Sequence, residues 1–130
     1  MEYQGIDLNG NRYLIKSEEA EFDVSKPELI FMEIMNTTFY FKDGTKLSVS
    51  ADRGVYNNLT NDMEFRENVL AIYGENKINA DNLDYFNTKS LLTVYGNVIG
   101  NGLKGDIVAD KLNFDISKRT LDISMFNNDQ

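Results

Sequence analysis

Cysteine and histidine are both missing from this chain. Their absence excludes thiol nucleophiles, disulfides, thiolate zinc sites and imidazole general bases. It leaves the periplasm open as a compartment, because a domain of 130 residues does not need disulfides. Proline occurs once, at Pro27, so little interrupts extended backbone. No apolar run approaches the ~20 residues of a membrane-spanning helix. The start, MEYQGIDLNGN, lacks the basic head and apolar centre of a signal peptide, so the chain reads as soluble. Positive charge is scarce: 13 Lys and Arg face 21 Asp and Glu, for a net charge of −8. That balance argues against nucleic acid or an anionic membrane surface as a simple electrostatic partner. Helical periodicity is absent throughout.

What is present is β-structure written as a repeat. With 42% hydrophobic residues the chain is expected to fold, and 130 residues suit one domain, residues 1–130. Alternation of period two recurs at Phe39 and Phe41, at Leu47, Val49 and Ala51, at Met63 and Phe65, and at Leu121 and Ile123. One phrase is written three times, as VSADRGVY from Val49, INADNLDY from Ile78 and IVADKLNF from Ile107, 29 residues apart each time. Turn signals fall at half that period from Asp43-Gly44 onward, through Asn57-Asn58, Gly74-Glu75-Asn76, Asn87-Thr88-Lys89, Gly100-Asn101-Gly102 and Ser117-Lys118. Earlier turns are expected at Asn9-Gly10-Asn11 and Ser25-Lys26-Pro27. Each repeat therefore reads as one hairpin of long strands.

Inside the phrase the apolar parity slips. Ile78 and Ala80 share one face, Leu83 and Tyr85 the other, so one residue is absorbed near Asp81. Glu67-Asn68-Val69 and Gly96-Asn97-Val98 mark the matching points of the intervening strands. Each strand is expected to cross from one sheet to a second at a bend. Copies at a constant period imply stacking, because a lone hairpin cannot bury its apolar face. Ala20-Glu21-Phe22-Asp23 reads as a diverged copy, which gives three and a half hairpins in two facing antiparallel sheets.

Asp52, Asp81 and Asp110 could form a row of carboxylates for a metal or for acid–base work. No residues supply the remaining ligands, and Asp at a bend accepts hydrogen bonds from freed backbone amides, which is the reading adopted. No catalytic residue, metal site or cofactor is assigned. Tyr56, Tyr85 and Phe114 form an aromatic row, read as a core ladder rather than a stacking platform. The inward set is Val49, Ala51, Phe65, Val69, Ile78, Ala80, Leu83, Leu92, Val94, Val98, Ile107, Ala109, Leu112 and Ile123. It reads either as a solid core or as a lumen for an acyl chain, with Ala51, Ala80 and Ala109 leaving room at one level. The last run, TLDISMF from Thr120, has one acid and no proline and is an edge open to strand addition.

The segments KLSVSADRGVYNN, FRENVLAIYGENKINADNLDYF and LLTVYGNVIGNGLKGDIVADKLNFD resemble the periplasmic domain of the LptC family, with LptA and OstA-like domains as relatives. Gly54-Val55-Tyr56, Gly96-Asn97-Val98 and Ile78 to Tyr85 carry the likeness, and the start Tyr3-Gln4-Gly5-Ile6-Asp7 shares it. The resemblance implies an all-β, slightly open and twisted β-jelly roll with no enzymatic activity. It implies that the inward set holds lipopolysaccharide acyl chains, with the headgroup in solvent. It implies contact with LptA at the C-terminal edge, with the LptB/LptF/LptG transporter at the N-terminal edge, and self-association through edge strands. It implies a periplasmic location, anchored to the inner membrane by an N-terminal helix that this chain does not include. The chain departs from the family there, and again in ending at Asn127-Asn128-Asp129-Gln130 soon after its last strand. A soluble LptA-like bridge, a repeat-built carbohydrate-binding or adhesion module, and a two-carboxylate hydrolase are the alternatives.

Overall fold

A computed structural model describes residues 1–103 and 105–124. Met125, Phe126 and the four residues after them, the end of the expected last strand and the tail, lie outside the described residues. The chain runs through β1 (Glu2–Ile6), β2 (Arg12–Lys16), β3 (Glu19–Asp23), β4 (Lys26–Tyr40) and β5 (Lys46–Asn57). It continues through β6 (Met63–Tyr73), β7 (Asn76–Phe86), β8 (Leu91–Gly102), β9 (Gly105–Asp115) and β10 (Thr120–Ser124). All pairings are antiparallel, in the order β1-β2-β4-β5-β6-β7-β8-β9-β10, with β3 also on β4. Among the described residues no pairing joins β10 back to β1, so the jelly roll stays open.

The two expected sheets are one continuous sheet bent along a seam. The register shifts between Ser50 and Arg53, Arg66 and Val69, Asn79 and Asn82, and Tyr95 and Val98. Each long strand thus contributes one half to a first leaf, with β1 and β2, and the other half to a second leaf, with β3 and β10. The seam residues of alternate strands are left-handed: Ile34 in β4, Glu67 and Asn68 in β6, Gly96 and Asn97 in β8. The repeated Asp meets them from the neighbouring strand. Asn68 Nδ2 donates to Asp52 Oδ2 at 2.7 Å, and Asn97 Nδ2 donates to Asp81 Oδ2 at 2.7 Å. Asn suits this position because its short side chain tolerates φ near +50° while it bonds locally. Replacing Asn97 by valine is expected to cost about 1–2 kcal/mol, since a β-branched residue resists that backbone. Replacement by glycine, which loses only an exposed hydrogen bond, should cost less than about 1 kcal/mol. Urea denaturation of the two variants measures the difference, and equal losses would sink the backbone argument.

Four sequence expectations are corrected. Pro27 lies inside β4, whose turn precedes it at Val24-Ser25. Gly100, Asn101 and Gly102 belong to β8 rather than to a turn. Asn87–Lys89 forms a 3-10 turn in a chain read as free of helix. Ala20 to Asp23 is the short edge strand β3, not a bent copy of the repeat. The break between leaves at that point falls earlier, at Ser17-Glu18, between β2 and β3, which both pair with β4.

Candidate functional site: an apolar cavity at the C-terminal end

Packing between the leaves divides the interior into two parts. In the N-terminal part aromatic and sulfur side chains meet across the gap. Phe39 lies 5.0 Å from Tyr85 and 5.8 Å from Tyr13, between ring centroids. Tyr13 and Tyr56 share a hydrogen bond at 2.9 Å, and Tyr85 donates to Asn87 Oδ1 at 2.9 Å. Burial, then the bond with Tyr56, pushes the Tyr13 phenol well above its ordinary pKa. Burial, then the nearby Asp7 and Asp62 charges, does the same for Tyr85. These are structural groups held neutral in a closed core.

The C-terminal part is different. A cavity of about 440 Å³ opens there between the leaves, within the size range of ligand pockets. Ile78 and Ile107 reach it from the first leaf, and Leu83, Leu92, Val94 and Leu112 from the second. Its emptiness has a register explanation. Ala71 lies opposite Ile78, and Gly100 lies between Ile78 and Ile107, so small residues occupy every other place in that row. Tyr73 and Phe114, with rings 5.5 Å apart, form one wall, and Leu121 of β10 lines the outer side.

The other members of the inward set do not line this cavity. Val49, Phe65, Val69 and Val98 are buried in packed core. Ala51, Ala80 and Ala109 are buried too, each opposite a larger residue: Met35, Val69 and Val98. The cavity therefore lies away from the level expected at these alanines. They flank the seam, where the two leaves of one sheet converge. Ile123 is 50% exposed although it pairs with buried Leu112, because among the described residues β10 is an edge strand with no neighbour beyond it. Ile107, which lines the cavity, is 37% exposed. Sequence reading missed Ala71, Gly100, Leu121 and Arg119 as cavity residues. Cross-strand register would have found the first two, and the alternation of Leu121 with Ile123 the third. A turn residue such as Arg119 carries no comparable signal.

The aromatic row turns inward. Tyr56 packs on Tyr13 and Tyr3, Tyr85 on Phe39, and Phe114 on Tyr73, so its rings bridge the leaves instead of forming an outer platform. The long side of the jelly roll, opposite the seam, is fastened by polar contacts. Asn9 Nδ2 donates to Ser90 Oγ at 2.9 Å, from a turn organised by buried Asp7, which accepts from the Asn9 and Asn11 amides. Farther along, Arg119 reaches the β4–β5 turn at Asp43. Hydrogen bonds from Thr45, then the Arg119 charge, hold the Asp43 carboxyl below its ordinary pKa. Among the described residues no group of acids is arranged to hold a metal ion.

The crystal structure of LptH, the LptA-homologous periplasmic component of the lipopolysaccharide transport device of Pseudomonas aeruginosa, has the same fold. It aligns with a TM-score of 0.69 at 10% identity, over 91% of this chain and 85% of that one. A sequence search of characterised proteins returns no significant match. A family model described as "Lipopolysaccharide-assembly, LptC-related" matches residues 1–125. It describes non-enzymatic transport proteins, which removes the hydrolase reading. Matched over nearly its whole length, the chain belongs to the LptC-related lipopolysaccharide-assembly family.

Proposed function

We propose that the C-terminal cavity binds acyl chains of lipopolysaccharide and that residues 1–130 act as one unit, passing lipid from the inner membrane toward the outer membrane. The observation that carries this reading is an apolar cavity of about 440 Å³ lying beside β10, the edge strand at the end of the sheet. The lipid-contacting residues are Ile78, Leu83, Leu92, Val94, Ile107 and Leu112. Val49, Ala51, Phe65, Val69 and Ala80, buried beside the cavity, act as the wall that ends it toward the N-terminal half. LptA would dock by strand addition on β10, so that its own groove continues the cavity. The LptB/LptF/LptG transporter would meet the other end, where β1 and β3 are edge strands carrying exposed Ile6 and Phe22. This work is periplasmic, like that of LptH.

A photo-crosslinking residue at Ile78 or Val94, with Asn79 as the outward-facing control, tests the cavity. Lipopolysaccharide adducts are expected at the two cavity positions and not at Asn79, which is exposed on the opposite face of β7. Adducts at Asn79 alone would overturn the reading.

A further inference from the structure

Arg119 stands in the β9–β10 turn of the second leaf with φ +57°, and its side chain crosses to the first leaf. The guanidinium lies 3.7 Å from the Phe41 ring centroid. Its Nη1 donates to Asp43 Oδ2 at 3.1 Å, to Thr45 Oγ1 at 3.2 Å and to the Tyr73 hydroxyl at 3.3 Å, while Nε holds the Ile116 carbonyl at 3.1 Å. The same side chain lines the cavity. One residue thus joins the two leaves along the side through which a chain would reach the cavity.

The contact is built to be released. The two side chains are 26% and 57% exposed, and ion pairs this wet are weak. The turn that Arg119 grips keeps its shape without it, because Asp43 Oδ1 already accepts from the Thr45 amide and hydroxyl. A phosphate offers a guanidinium several charged oxygens and a bidentate match, where Nη1 now has one Asp43 carboxylate oxygen and two neutral hydroxyls.

We propose that Arg119 is a headgroup-responsive latch: the phosphate of an incoming anionic lipid draws the guanidinium off Asp43, and the leaves part to admit its acyl chain. The proposal rests on the acyl-binding reading of the cavity and adds to it a ligand class and a route of access.

Two probes with the same fluorescent polyene acyl chain, one on glycerol phosphate and one on glycerol alone, separate headgroup from tail. With the full chain, the phosphate probe is expected to bind about tenfold more tightly and to associate faster. In Arg119→Ala that preference should fall to within about twofold, and the neutral probe should associate faster than with the unmodified protein. Asp43→Asn, which keeps the arginine and loosens its hold, should speed the neutral probe and retain the preference. It carries the test if Arg119→Ala fails to fold by circular dichroism. An unchanged preference in folded Arg119→Ala, or no acceleration in Asp43→Asn, would overturn the latch while leaving acyl binding intact. Acceleration of the neutral probe by inorganic phosphate alone would overturn the tethered headgroup as the trigger. Failure of both probes to bind the unmodified protein would remove the acyl-binding reading and the latch with it.

Discussion

Phe39→Ala is expected to lower stability by about 3–5 kcal/mol, the usual cost of emptying a buried aromatic site. Phe39 has no exposed surface; its ring joins the leaves through Tyr85 and packs on Tyr13, its neighbour in the same leaf. Two of these neighbours are held by hydroxyl bonds, Tyr85 to Asn87 and Tyr13 to Tyr56, so they cannot swing in to fill the space. The loss is a large share of the ~5–15 kcal/mol that holds a typical domain folded. Urea denaturation would show it as a shifted midpoint at nearly constant slope. A loss below about 1 kcal/mol would mean that the N-terminal half is not the solid core described. Acyl binding at the C-terminal cavity should survive in the fraction that stays folded, because Phe39 does not line it.

Gly54→Ala is expected to cost about 1–3 kcal/mol or more, although it adds a single methyl group. A Cβ at Gly54 would stand 2.2 Å from Met35 Sδ and 2.6 Å from the Glu64 carbonyl oxygen. The methionine sulfur ends a flexible chain and can move. The carbonyl is backbone of β6, whose Glu64 and Phe65 pair with Val55 and Gly54. The double variant Gly54→Ala, Met35→Ala separates these obstacles. It should remain less stable than Met35→Ala alone, because shortening the methionine leaves the carbonyl in place. Full recovery to the level of Met35→Ala would assign the whole effect to sulfur packing and refute the backbone contact.

Much of this architecture was legible because a repeat of 29 residues brings like residues onto neighbouring strands. The parity slip at Asp81 marked the seam, and Asn68 and Asn97 fall where the irregular strand points were read. The first strands were less legible because they lie outside the repeat: β2 and β3 split the work of one bent strand, and Ala20 only imitates the phrase. The size of the alanines was visible, but not the distance to the facing leaf, so smallness alone read as spare room. The cavity depends on Ala71 and Gly100 sharing a row with Ile78 and Ile107, and on where the second leaf ends. Those are facts of register and edges. Arg119 acts across 76 residues of sequence from Asp43, a separation that no local pattern encodes.

From β4 to β10, strands that neighbour one another in the sheet also follow one another along the chain. Loop-closure cost stays low in such an arrangement, and short-range pairing favours rapid folding for an all-β protein. The structure can grow by propagation, each new hairpin docking on the one synthesised before it. Every partial stack then ends in a bare strand edge that templates the next hairpin. Biosynthesis thus passes through a series of such edges, each able to pair with a second chain until its own next hairpin arrives.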